Sequence, residues 1–187
     1  MAITRENRNY WDMKKGEIFL RHLLAILLLP GTVTVVIPTL LVATDGNRGE
    51  GGPGTLGIVG IAAGALLVMA GLLLVAQTVS LFVRLGKGSL APWDPTVRLV
   101  VRGPYRHVRN PMISGVFTIL LGEALGLGSL RLLSWALAFA GLNAVYMPLV
   151  EEPGLEKRFG RDYASYRRNV PRWIPRRRPW FRRSAGP

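Results

Sequence analysis

Two stretches, Leu23 to Ala43 and Thr55 to Val83, contain no charged residue, and this restricts the fold more than any other feature. The first is 21 residues long and the second 29. About 20 apolar residues in a helix cross a hydrocarbon core roughly 30 Å thick, so the first run spans directly and the second spans with tilt or passes the interface. Two further runs follow, Met112 to Leu130, interrupted by Glu123, and Leu132 to Val150. Gly126-Leu127-Gly128-Ser129, at the end of the third run, is the turn before the fourth and predicts a helical hairpin. The chain is 49% hydrophobic yet carries a net charge of +13, a conflict for a soluble globule. The conflict disappears when the apolar residues gather into spans and the charges into the connections between them.

The basic residues orient these spans. Five precede the first (Arg5, Arg8, Lys14, Lys15, Arg21), and one, Arg48, separates the first and second. Six lie between the second and third, one (Arg131) between the third and fourth, and eleven after the fourth, so 22 of 24 fall on one side. By the positive-inside rule both termini and the Arg102–Pro111 loop face the cytoplasm. Leu41-Val42-Ala43-Thr44-Asp45 has no small-x-small cleavage pattern, so the first run reads as a retained membrane helix. Pro30 and Pro38 are expected to kink it. Gly60 and Gly64 form a small-xxx-small pair for close helix contact, within the monomer rather than in a dimer. The expectation is an all-α polytopic membrane protein with about four transmembrane helices and a C-terminal amphipathic helix. It forms one membrane domain: residues 1–85 hold the first two helices, 86–176 a functional core and 177–187 a basic tail.

With no cysteine, disulfides, thiolate catalysis and cysteine-ligated metals are excluded, and His22 and His107 alone argue against a histidine-rich metal site. The chemistry concentrates in Arg102-Gly103-Pro104-Tyr105-Arg106-His107-Val108-Arg109-Asn110-Pro111. A snorkelling basic belt explains its arginines. It does not explain Gly103-Pro104-Tyr105 or Asn110-Pro111, which turn the chain and start the third helix with proline in its first turn. That helix start offers amide donors to a carboxylate. Gly86-Lys87-Gly88-Ser89-Leu90 reads equally as a flexible turn and as a surface a ligand approaches closely. Glu151 and Glu152 either pair with arginines or bind a cationic ligand. Leu155, Phe159, Tyr163 and Tyr166 recur at helical spacing, giving an amphipathic helix on the membrane or over the site. The run from Arg176 to Arg183 reads as a tail, drawn to lipid or disordered, rather than part of a site. Nucleic-acid binding is not needed to account for the basicity, since the spans and the one-sided charge already do.

In order, Gly86–Leu90, Gly-Pro-Tyr-Arg-x-x-Arg-Asn-Pro-Met at 103–112, Gly115, Glu151-Glu152-Pro153, Phe159-Gly160-x-x-Tyr163-x-x-Tyr166 and Val170-Pro171-Arg172 resemble a superfamily of membrane methyltransferases. It comprises the isoprenylcysteine carboxyl methyltransferases and the phospholipid N-methyltransferases, and the resemblance covers roughly residues 80 to 176. It implies S-adenosylmethionine as methyl donor, bound at the cytoplasmic face with no metal. It places Gly86, Gly88, Ser89, Leu90, Tyr105, His107, Arg109, Asn110, Pro111, Glu151 and Glu152 around the cofactor. His107, Arg109 and Glu152 become the catalytic candidates, with Tyr163 and Arg172 facing the substrate. Ile113 stands where a tyrosine commonly follows the methionine, so that hydroxyl is missing. Asn110 stands where carboxyl-methylating members usually have histidine, which leans toward the phospholipid-type or an unassigned bacterial-type branch in an inner membrane. The implied reaction is direct in-line methyl transfer to a lipid or lipophilic acceptor, a phospholipid amine in preference to an isoprenylcysteine-like carboxylate or a small apolar metabolite. An amine acceptor must lose a proton, to His107 or to a glutamate of raised pKa, whereas a carboxylate would be oriented by Arg109 or Arg172. The contrasting readings are a non-enzymatic module that holds anionic lipid and a nicotinamide-dependent membrane reductase, whose phosphate-rich cofactor the acidic pair would repel.

Overall fold

Backbone amides and carbonyls cannot be left unpaired in lipid, so uncharged segments of this length become helices. The computed structural model describes residues 27–44, 55–81 and 99–181, which are helical with no strand among them. A wide-turn π-helical stretch, Leu27–Val36, contains Pro30 and runs into α1 (Ile37–Ala43). Then come α2 (Thr55–Leu81), a 3-10 turn at Gly103–Arg106, α3 (Pro111–Leu127) and α4 (Leu130–Tyr146). A second π-helical stretch, Met147–Glu151, leads without a break into α5 (Glu152–Phe159), and α6 (Arg161–Asn169) closes the series. The expected amphipathic helix is therefore a pair of short helices separated at Gly160.

Two helical runs are long and apolar enough to cross a membrane, Gly57–Leu81 and Leu130–Phe159, while Pro30–Ala43 and Pro111–Leu127 are shorter apolar helices. Apart from Arg131, charges in the Leu130–Phe159 run begin at Glu151, so its uncharged part stops at Val150. Apolar side chains point outward along both runs, with Leu66 72% and Leu130 78% exposed. That is the reverse of a soluble protein and matches a lipid-facing surface.

The helices meet through glycine. A Cβ added at Gly64 would lie 2.5 Å from the Gly122 carbonyl oxygen, and one at Gly71 2.7 Å from that of Gly115. Antiparallel α2 and α3 therefore touch backbone to backbone, and Gly60 and Gly64 serve packing within the monomer. Gly64→Leu is expected to cost about 1–3 kcal/mol of stability, because the obstructing atoms are backbone. Thermal unfolding in detergent measures it. Unchanged melting would mean that this seam does not hold the bundle together. The hairpin forms where predicted: Gly128 takes the left-handed conformation (φ 59°, ψ 30°), and the Ser129 hydroxyl accepts a hydrogen bond from Leu132 N to start α4. Trp135 Nε1 donates to the Val33 carbonyl at 3.1 Å, tying α4 to the first helix. With the spans packed this way, the polar loop and α5–α6 come together at one end.

Candidate functional site

The loop before α3 is folded on itself and then held from outside. Tyr105 N donates to the Arg102 carbonyl at 3.2 Å, and His107 N and Val108 N to that of Pro104 at 2.9 and 3.1 Å. Tyr105 and Val108 are buried. The C-terminal segment from Pro171 to Phe181 lies along this loop as a strap. Arg109 N donates to the Pro171 carbonyl at 2.9 Å, Arg176 N to that of His107 at 3.0 Å and Trp180 N to that of Arg106 at 3.0 Å. The Arg106 guanidinium sits 4.5 Å from the centre of the Phe181 ring. The expected basic tail from Arg176 is thus held against the loop as far as Phe181. The side chains there are basic, but the backbone is engaged with the loop.

The strap also orients His107. Its Nδ1 lies 2.8 Å from the Arg176 carbonyl oxygen. A carbonyl only accepts, so Nδ1 carries a proton and the lone pair of the neutral ring belongs to Nε2.

Glu152 is the hub. It begins α5 and is 2% exposed. Its Oε1 accepts from Arg109 Nη1 at 2.8 Å and Arg172 Nε at 2.6 Å, and its Oε2 from Arg172 Nη2 at 3.0 Å. Arg167 Nε stands 3.5 Å from Oε2. Burial opposes ionisation of Glu152, but the Arg172 and Arg109 guanidiniums outweigh it and hold the carboxyl below the usual carboxylate range. The same contact raises Arg172 further above its ordinary value. Glu151 is different. Adjacent helical residues point about 100° apart, and Glu151 makes no hydrogen bond or ion pair among the described residues. Burial, followed by the negative charge of Glu152, raises its pKa. Two neighbouring carboxyls are thereby driven in opposite directions.

Tyr163, 2% exposed, sits in an apolar cluster with Tyr166 and Val170, against which Leu155, Phe159 and Trp180 pack. Burial raises the Tyr163 pKa and the Glu152 charge adds to this, while the nearby Arg109 works against it. Tyr166 donates to the Tyr105 carbonyl oxygen at 2.7 Å in a buried bond, and burial keeps both phenols protonated well above neutral pH. Tyr166→Phe leaves that carbonyl buried without a donor. It is expected to cost about 1–3 kcal/mol, read as a lower unfolding midpoint, and an unaltered midpoint would mean water replaces the hydroxyl.

The structure therefore brings Arg109, Glu152, Arg172 and Tyr163 into one cluster, with Tyr105 and His107 beside it on the strapped loop and Glu151 on the next residue of the helix. Pro111 is buried at the start of α3, and Asn110 precedes it without capping that helix through its side chain. Asn110 Nδ2 and Arg109 Nε are buried donors with no acceptor. Gly86, Gly88, Ser89 and Leu90 lie outside the described residues. Sequence reasoning missed Arg167 and Glu156, which pair at 3.0 Å. The four-residue step from Tyr163 to Arg167 was the available signal, because it puts Arg167 on the face of a buried residue.

A family model described as phospholipid methyltransferase matches residues 59–162, more than half of the chain. The match runs from α2 into α6. It includes the strapped loop and both glutamates but stops before Tyr163, Arg167 and Arg172. No curated protein and no solved structure matches the chain.

Proposed function

The chain belongs to the phospholipid methyltransferase family, and on that footing we propose that it moves a methyl group from S-adenosylmethionine to the amine of a phospholipid at the cytoplasmic membrane face. The observation that carries this reading is the division of labour at residues 151 and 152: one carboxylate is saturated by guanidiniums, and its neighbour is left for a cationic ligand.

S-adenosylmethionine, when bound, supplies an electrophilic methyl group on a sulfonium and also carries an ammonium and a carboxylate. The residues present fit those charges. Glu151 would hold the cationic groups, and the unsatisfied Asn110 Nδ2 and the free amides that follow Pro111 in the first turn of α3 would hold the carboxylate. Gly86–Leu90 is assigned to the same wall through the family resemblance. Glu152 acts as a positioning residue, fixing Arg109 and Arg172 through direct contacts.

The reaction needs little covalent help from the protein. An ammonium acceptor would first have to give up one proton, because only the neutral amine has a lone pair to take the methyl group that S-adenosylmethionine would supply. His107 Nε2 and Glu151 are the two groups able to take that proton. Alignment and exclusion of water supply most of the acceleration.

Four spans carry this site: the shorter apolar helices Pro30–Ala43 and Pro111–Leu127 cross the membrane together with the two long runs. The 22-to-2 asymmetry of basic residues supports cytoplasmic termini, in a bacterial-type inner membrane.

The test is incubation of the purified protein with radiolabelled methyl donor and a total lipid extract. Label is expected in an N-methylated phospholipid. Label confined to a carboxyl ester or a non-lipid product overturns the acceptor assignment, and no heat on titration with S-adenosylhomocysteine overturns the methyltransferase reading in favour of a lipid-binding module.

A further inference from the structure

An open cleft of about 550 Å³ lies beside the hub, lined by Arg109, Glu156, Ala164, Arg167, Arg168 and Arg172. Four guanidiniums line it, against one lining carboxylate, Glu156, and the buried Glu152 behind, which leaves two positive charges in excess. The pairing is incomplete in a particular way. Arg109 has a side chain 9% exposed, and its Nε is buried without an acceptor. Arg168 makes no ion pair or hydrogen bond among the described residues. Excess guanidinium donors around an open cleft, one of them buried and unsatisfied, call for an oxyanion with several acceptor oxygens. The cleft's position narrows the choice. Glu156 of α5 and Ala164, Arg167 and Arg168 of α6 line it together with Arg109 of the loop and Arg172 of the strap, and α5 follows the uncharged stretch that ends at Val150, which is the position a lipid headgroup would reach.

The geometry points to a phosphate-binding subsite in which Arg109, Arg167, Arg168 and Arg172 hold the phosphate group of a phospholipid headgroup. That this phosphate belongs to the methyl acceptor rests on the methyltransferase reading; the subsite itself does not. Arg167, Arg168 and Arg172 fall outside the residues matched by the family model.

The experiment uses the full chain in an uncharged detergent with three probes titrated separately: a short-chain phosphatidylethanolamine, inorganic phosphate and S-adenosylhomocysteine. Arg168→Glu is the main variant, because Arg168 is exposed and its replacement leaves the hub intact; Arg168→Lys and the melting temperature control for folding. Arg168→Glu is expected to weaken lipid binding at least about tenfold, the equivalent of one lost charge-assisted contact. Arg168→Lys should recover much of the loss, lipid affinity should fall with added salt, and S-adenosylhomocysteine affinity should not change. Lipid binding unaffected by Arg168→Glu overturns the proposal. Binding of inorganic phosphate without lipid binding overturns the lipid as its source, and an equal loss of S-adenosylhomocysteine affinity reassigns the arginines to the cofactor. If S-adenosylhomocysteine fails to bind while the lipid binds and responds to Arg168, the methyltransferase reading fails and the subsite stands.

Discussion

Replacing the two adjacent glutamates one at a time is expected to give opposite phenotypes. Glu152→Ala removes the only carboxylate touching Arg109 and Arg172 among the described residues. Arg109 is then left as a buried charge with no counter-ion, which costs about 3–5 kcal/mol. A deficit of that size is a large share of the stability of a domain this small. The variant should melt far lower, and its methyl transfer should fail together with its fold. Glu151→Ala breaks no hydrogen bond or ion pair among the described residues. Its melting point should stay close to the parent's, while S-adenosylhomocysteine binding weakens at least about tenfold through loss of a charge-assisted contact. The two readouts therefore separate the residues. Comparable destabilisation by both substitutions, or full cofactor affinity in Glu151→Ala, would remove the assignment of Glu151 to the cofactor.

This difference between neighbours marks where the sequence stops being informative. The helices were legible because long uncharged stretches satisfy their backbone groups as helices, and α2 starts at Thr55 as its run does. The hairpin was legible because Gly128 and Ser129 have local conformational reasons to stand at a helix end and a helix start. The orientation of Glu151 and Glu152 was not. Glu151 ends and Glu152 follows a wide-turn stretch, Met147–Glu151, that contains Pro148, and hydropathy periodicity does not register a local change from α to π spacing. The arginine partners of Glu152 come from positions 43 residues before it and 20 after it, a convergence that no local pattern encodes. The strap was hidden for another reason. Its hydrogen bonds to the loop use backbone atoms, which are the same for every residue type, while its side chains are those of a lipid-binding tail.

Ending the chain after Pro175 should therefore be nearly as damaging as losing Glu152, although it removes no residue of the hub. The cut deletes the Arg176 and Trp180 amides that bond to the His107 and Arg106 carbonyls, the Arg176 carbonyl that meets His107 Nδ1, and the Trp180 ring 6.0 Å from that of Tyr166. Three hydrogen bonds and one aromatic contact together represent about 2–6 kcal/mol. Much of that loss should fall on the loop rather than on the spans, because α2 and α3 hold each other through the glycine seam. Helical content measured by circular dichroism is expected to survive, while methyl transfer drops at least about a hundredfold through loss of alignment. A chain ending after Phe181 keeps every one of these contacts and is the control. His107 adds a second readout: with its Nδ1 partner gone, the ring is free to exchange its proton between the two nitrogens, so nitrogen chemical shifts should report mixed tautomers in the shorter chain and a single Nδ1-protonated form in the control. Equal turnover and one tautomer in both chains would mean that the strap lies on the loop without positioning it, and the proton-accepting role of His107 Nε2 would lose its structural basis.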